Sequence, residues 1–201
     1  LVASITSFYF YYLDYSSTFY FVSGFGFEVG FLNWIIITFL IVGITNSVNL
    51  TDGLDGLVAG SSSVSFGGIL IISFWIFRHP EYYSSFMNNE ILDLDLSILI
   101  SALAGSALGF LWWNTNPAKI IMGDVGSHFI GSMFPIILIS IGADGLILFF
   151  CFLYIFEAVS VIIQVSSFKL NQKRIFKMTP IHHHFEMSGS AETTIIVRFW
   201  I

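Results

Sequence analysis

Long apolar runs separated by short polar breaks restrict this chain more than any other feature it has. They extend from Phe31 to about Val48, Leu57 to Phe77, Ser97 to Trp113, Phe129 to Ile141 and Leu146 to about Val165. Crossing a bilayer's hydrocarbon core takes about 20 helical residues, whereas a transmembrane β-strand needs about 10 and alternates in polarity. None of these runs alternates, and hydrophobic side chains make up 56% of the sequence against 10% charged. The predicted fold class is therefore all-α, a polytopic transmembrane helical bundle of about five complete spans plus a truncated helix at each end. Leu1 to Tyr12 reads as the end of one such helix and Ala191 to Ile201 as the start of another. Residues 1–201 thus read as one integral-membrane domain and as a fragment.

The breaks between spans carry the polar chemistry. A single cysteine excludes an intramolecular disulfide, and a net charge of −6 leaves no basic surface for nucleic acid. The stretch from Tyr12 to Gly30, rich in Ser, Gly, Tyr and Phe, fits an interfacial connection with an aromatic belt. Lys119, Lys169, Lys173, Arg174 and Lys177 are five of the seven basic residues, and counting spans puts them on one side, which the positive-inside rule makes cytoplasmic. The same count places Asp52, Asp55, Asp124 and His182 to His184 on that side. Glu81, Glu90, Asp93, Asp95 and Asp144 fall on the other.

Three breaks hold candidate sites. In NTNPAKIIMGDVGS, Asn114 to Ser127, Asp124 stands between Gly123 and Gly126 where one apolar run gives way to the next. A hard carboxylate oxygen there suits magnesium, which takes one or two carboxylates and completes its shell with water and phosphate. A turn whose Asp caps the following helix explains the same residues. In NSVNLTDGLDGL, Asn46 to Leu57, Asp52 and Asp55 would share a face if the helix continues, and could share a metal or divide base and ligand roles; helix capping by TDG and a solvated turn explain the same residues. The third, KLNQKRIFKMTPIHHHFE, runs from Lys169 to Glu186, with Thr179 as expected N-cap and Pro180 as first helical residue. Consecutive helical residues point about 100° apart, so His182, His183 and His184 cannot all ligate one metal, and hydrogen bonds to phosphate suit them better. The basic residues before them fit substrate phosphate, anionic lipid or the topology signal alone. Glu157 and Gln164, seven residues apart, lie on one face of the preceding span. There a protonated structural Glu157 is the simpler reading, with Gln164 near enough to line the site.

Taken in order on one side of a polytopic chain, these motifs, with EAVSVIIQVSSFKL from Glu157 and the closing VRFWI, resemble the phospho-N-acetylmuramoyl-pentapeptide transferases. That family belongs to a superfamily that moves sugar-1-phosphates from nucleotide sugars to polyprenyl phosphates. The resemblance implies attack of undecaprenyl phosphate on the β-phosphate of UDP-N-acetylmuramoyl-pentapeptide, with release of UMP, in the inner membrane of a bacterium. It implies Asp124 as a magnesium ligand. Asn49, Asp52, Gly53, Leu54 and Asp55 would form the nucleotide-binding and catalytic pocket, with Asn114, Gln164 and His182 to His184 lining it. Implied partners are the two substrates and membrane lipid, with a homodimer left open. Ile121 stands where the family usually has Phe, and His128 where Leu is common. An aspartate pair and a lysine that the family carries upstream are absent, so this stretch alone is expected to be inactive. Another polyprenyl-phosphate sugar-1-phosphate transferase is the first alternative and an ion-coupled transporter the second, although a transporter's carboxylates would sit near the bilayer midplane rather than at helix ends.

Overall fold

The computed structural model describes residues 5, 18–22, 25–79 and 94–200. The expected helix from Leu1 to Tyr12, and Glu81, Glu90 and Asp93, lie outside that set. In chain order come strands β1 (Thr18–Val22) and β2 (Phe25–Glu28), then helices α1 (Leu32–Thr51), α2 (Leu57–Arg78), α3 (Leu94–Asn114) and α4 (Gly123–Ser140). A 3-10 turn at Asp144–Leu146 and the short α5 (Ile147–Phe150) lead into α6 (Phe152–Asn171), α7 (Ile181–Glu186) and α8 (Glu192–Trp200). Five of these, α1, α2, α3, α4 and α6, are long and apolar enough to cross a membrane. Their outer faces carry large apolar side chains such as Phe39, Ile71, Trp112 and Leu170, which suits hydrocarbon as solvent.

α2 packs along α3, and α1 along α4 and α6. At the centre Phe134 of α4 stacks on Phe66 of α2 at 4.4 Å between ring centroids and meets Tyr154 of α6 at 5.6 Å. The buried Tyr154 hydroxyl and Ser61 Oγ lie 2.9 Å apart, so the one polar atom of this aromatic group is satisfied within the core. Small residues allow the helices to close in: a Cβ at Gly131 would come within 2.8 Å of the Thr45 Cα on α1.

Four boundaries differ from the sequence-based expectation. The expected interfacial connection contains an antiparallel hairpin, with Thr18 opposite Glu28. α4 begins at Gly123 rather than Phe129, because its first turn is polar and helical at once, with Asp124 placed where the helix dipole favours an anion. The apolar run from Leu146 breaks at Cys151, where φ −102 and ψ 14 leave the helical region. α1 stops at Thr51, so Asp52 and Asp55 lie in a turn and not on a continued helix face. Gly56, at φ +83, adopts a left-handed backbone that suits glycine and opens α2.

Candidate active site at one end of the bundle

The turn Asp52–Gly56, the loop Thr115–Met122 and the short helix α7 meet at the end of the bundle where α1, α3 and α6 finish. Asn49 on the last turn of α1 donates through Nδ2 to Asp124 Oδ1 at 3.1 Å and to Ser127 Oγ at 3.0 Å. Asp124 is exposed, and its Oδ2 takes no hydrogen bond among the described residues. Asp55 Oδ2 accepts the backbone N–H of Ala118 at 2.9 Å, tying the first motif to the second. The Asp52 carboxyl is pushed up to about 6, first by partial burial, then by the negative charges of Asp124 and Asp55. Three carboxylates from two distant motifs therefore repel one another in one place.

Several candidates hold this arrangement without facing into it. Buried Asn114 accepts the N–H of Gly56 on Oδ1 at 3.0 Å and donates from Nδ2 to the carbonyl of Ile120 at 2.9 Å, so both ends of its amide brace the two loops. Leu54, expected among the substrate contacts, is buried against Leu57, Ile195 and Ile196. Gln164 accepts the N–H groups of Ile175 and Phe176 and donates to the Phe176 carbonyl at 3.2 Å, folding the basic loop back on α6. It also borders a cavity of about 380 Å³ with Lys169, Arg174 and Lys177. Ile121 is almost fully exposed, and His128 Nδ1 donates to the Asp124 carbonyl at 2.7 Å.

The histidines separate by environment. Pro180, with φ −59 and ψ 170, is the cap of α7 and Ile181 its first residue, one step later than expected. His182 is fully buried, with Nδ1 3.1 Å from Glu157 Oε1. Glu157, expected as a structural acid, is fully buried and accepts the His182 backbone N–H. A Cβ on Gly53 would lie 2.6 Å from His182 Nε2 and 3.4 Å from His183 Nε2, which places α7 directly against the aspartate turn. His183 is partly exposed and lies 2.5 Å from Glu186. His184 accepts the Lys177 N–H on Nδ1 at 3.1 Å.

Two contributors had escaped sequence reasoning. Trp200 donates from Nε1 to the Gly56 carbonyl at 3.1 Å, and a Cβ at Gly60 would lie 2.0 Å from its ring. The small residues after Gly56 leave room for close packing, but nothing in the sequence names Trp200 as what packs there. Glu157 as the partner of His182 was likewise hidden, because the two are 25 residues apart.

Among the described residues no three His, Cys, Asp or Glu side chains converge on a cation-sized point. The donors present still fit magnesium. They are hard oxygens, Asp124 keeps one of its own uncommitted, and a cation would offset the burial and the repulsion that together lift Asp52.

The model of the family described as glycosyl transferase family 4 matches residues 1–142. A Corynebacterium jeikeium protein named phospho-N-acetylmuramoyl-pentapeptide-transferase is 44% identical over 176 residues, covering 86% of this chain and 48% of that protein. Proteins of the same name from Frankia casuarinae and Streptomyces coelicolor are 44% and 43% identical, over 87% and 90% of this chain and 50% and 52% of their own length. The chain spans about half the length of the curated relatives it matches.

Proposed function

Since this chain belongs to glycosyl transferase family 4, we propose that it carries part of the catalytic pocket of a phospho-N-acetylmuramoyl-pentapeptide transferase. The observation that carries this reading is the junction at one helix end. Asn49 meets Asp124, Asp55 meets Ala118, and Gly53 meets His182 and His183. Such a junction at a membrane surface can meet a soluble nucleotide sugar and a lipid phosphate together.

The reaction proposed is attack of a phosphate oxygen of undecaprenyl phosphate on the β-phosphorus of UDP-N-acetylmuramoyl-pentapeptide. A P–O bond forms to the lipid as the bond to the UMP oxygen breaks. Phosphoryl transfer of this kind depends mainly on positioning and charge neutralisation. Asp124, with Asp52 beside it, would hold magnesium, which supplies positive charge to phosphate oxygens when bound. Asn49 orients the Asp124 carboxylate, and Asp55 fixes the loop that carries Ala118. His183, the histidine that both nears Gly53 and reaches solvent, is suited to donate a hydrogen bond to a phosphate oxygen.

Lys119, Lys169, Lys173, Arg174 and Lys177 support a cytoplasmic position for this end, in the inner membrane of a bacterium. A cysteine at Asn171 should resist an impermeant reagent applied outside spheroplasts, whereas one at Phe27 on the hairpin should react. The decisive experiment is magnesium-dependent release of UMP by the full-length protein, given both substrates. Release from the nucleotide sugar without the lipid phosphate, or no release with both, overturns the assignment.

A further inference from the structure

We propose that Glu157 is a positioning residue: through His182 it sets the Asp52–Gly56 turn, and with it the acidic cluster. The proposal rests on the transferase reading and deepens it. Glu157 belongs to a helix apolar enough to cross a membrane, yet it is fully buried inside the protein. A carboxylate in such a helix is costly unless it is paired. Its partner is a single residue met twice: Oε1 lies 3.1 Å from His182 Nδ1, a close approach without hydrogen-bond geometry, and Oε2 accepts the His182 backbone N–H at 3.4 Å. One side chain of α6 thus touches the ring and holds the main chain at the start of α7.

The far edge of the same ring meets the turn. A Cβ on Gly53 would lie 2.6 Å from His182 Nε2 and 3.2 Å from Cε1, so only glycine allows this approach. Neither ring nitrogen of His182 has a hydrogen-bond partner among the described residues, which makes the contact with Gly53 one of shape. The ring is a wedge, and its position limits where Gly53 can sit. Asp52 precedes Gly53 and Asp55 follows two residues later, so a displaced wedge moves both carboxylates relative to Asp124. His182 is itself closed to solvent, which argues that it acts on the turn and not on a substrate. Other supports, the Asn114 bond to the Gly56 N–H and the Trp200 bond to its carbonyl, hold only the end of the turn nearest α2. Asp55 is tied to Ala118, and among the described residues the end nearest α1 has only its own backbone bonds to the Asn49 and Thr51 carbonyls besides the wedge.

The test compares the full-length parent with Glu157→Gln, His182→Ala and the double variant. Backbone hydrogen exchange is followed in peptides covering residues 46–58, where Asp52 and Gly53 N–H groups bond Asn49 and Thr51 carbonyls. Glu157→Gln should speed exchange in this turn, and the double variant should exchange no faster than His182→Ala alone. In turnover, Glu157→Gln should lower kcat by roughly ten- to a hundredfold while KM for the nucleotide sugar stays within about twofold. Glu157→Asp, which keeps the charge one methylene further back, should give the same pattern in weaker form and serves if Glu157→Gln fails to fold. Faster exchange confined to α6 and α7 with the turn unchanged would overturn the proposal, and so would additive effects in the double variant. Because exchange is read without substrate, it decides the positioning role even if the absence of UMP release removes the transferase reading.

Discussion

Asn49 and Asp124, 75 residues apart, are joined by a hydrogen bond of 3.1 Å from the amide of the first to one carboxylate oxygen of the second. The amide fixes the direction of the carboxylate and leaves its other oxygen uncommitted, which is what a cation ligand at a surface requires. Asp124→Asn in the full-length protein should therefore abolish UMP release, by more than about a hundredfold, with thermal unfolding unchanged because volume is conserved. Turnover at the parent level under limiting magnesium would remove Asp124 from the metal site.

The repulsion among Asp52, Asp124 and Asp55 makes cation binding depend on pH. Partial burial first, then the charges of Asp124 and Asp55, raise the Asp52 carboxyl from 3.8 to about 6, so between those values the folded protein binds more protons than the unfolded chain. Without a cation, stability should then fall as pH rises through this window. Magnesium should reverse the trend, since it competes with the proton. The rise in melting temperature produced by magnesium should be small at pH 5 and full above about pH 7. Asp52→Asn should flatten this dependence. A magnesium effect independent of pH in the parent would contradict the shared charge cluster.

Asn114 braces the site at a distance from any substrate. Replacing it with Ala leaves the buried Gly56 N–H and the more exposed Ile120 carbonyl without their partners, at a cost of about 1–3 kcal/mol for the buried N–H left unsatisfied. Thermal unfolding should show a clear loss of stability, and affinity for the nucleotide sugar should weaken only as far as the turn loosens. An unchanged melting temperature with lost substrate affinity would instead make Asn114 a substrate contact.

How much of this was legible follows from what each signal measures. Hydropathy located the five long helices, because lipid and core packing both select apolar runs. It missed the first turn of α4, where Asp124 and Ser127 are polar yet helical, and the break at Cys151, which no Gly or Pro marks. Spacing and charge type picked out Asp52, Asp55, Asp124 and the histidines. The same reasoning put Asp52 and Asp55 on one helix face only if the helix continued, and it stops at Thr51. Long-range partners were invisible: nothing local ties Glu157 to His182 or Trp200 to Gly56, since each pair forms only when separate helices pack. Leu54 and Asn114 carry motif positions, but their side chains are buried in the protein, and Gln164 commits its amide to the basic loop while bordering the cavity there. Motif membership does not distinguish a residue that touches substrate from one that holds the loop that does.

The three histidines supply the sharpest test of that distinction, because they are consecutive in sequence and differ in surroundings. His184 accepts the Lys177 N–H, so His184→Ala should loosen the basic loop and leave kcat within about threefold of the parent. His182 is fully buried between Glu157 and Gly53, so His182→Ala should lower the melting temperature and kcat together. His183 is partly exposed, and its Nε2 lies toward Gly53 while Nδ1 is held 2.5 Å from Glu186. His183→Ala should then lower kcat by roughly a hundredfold, the upper range for losing one positioned hydrogen bond or proton-handling group, with little change in melting temperature. Steady-state UMP release and thermal unfolding, measured side by side on the three variants, separate these outcomes. Turnover and nucleotide-sugar affinity at the parent level in all three would reduce the motif to a surface helix.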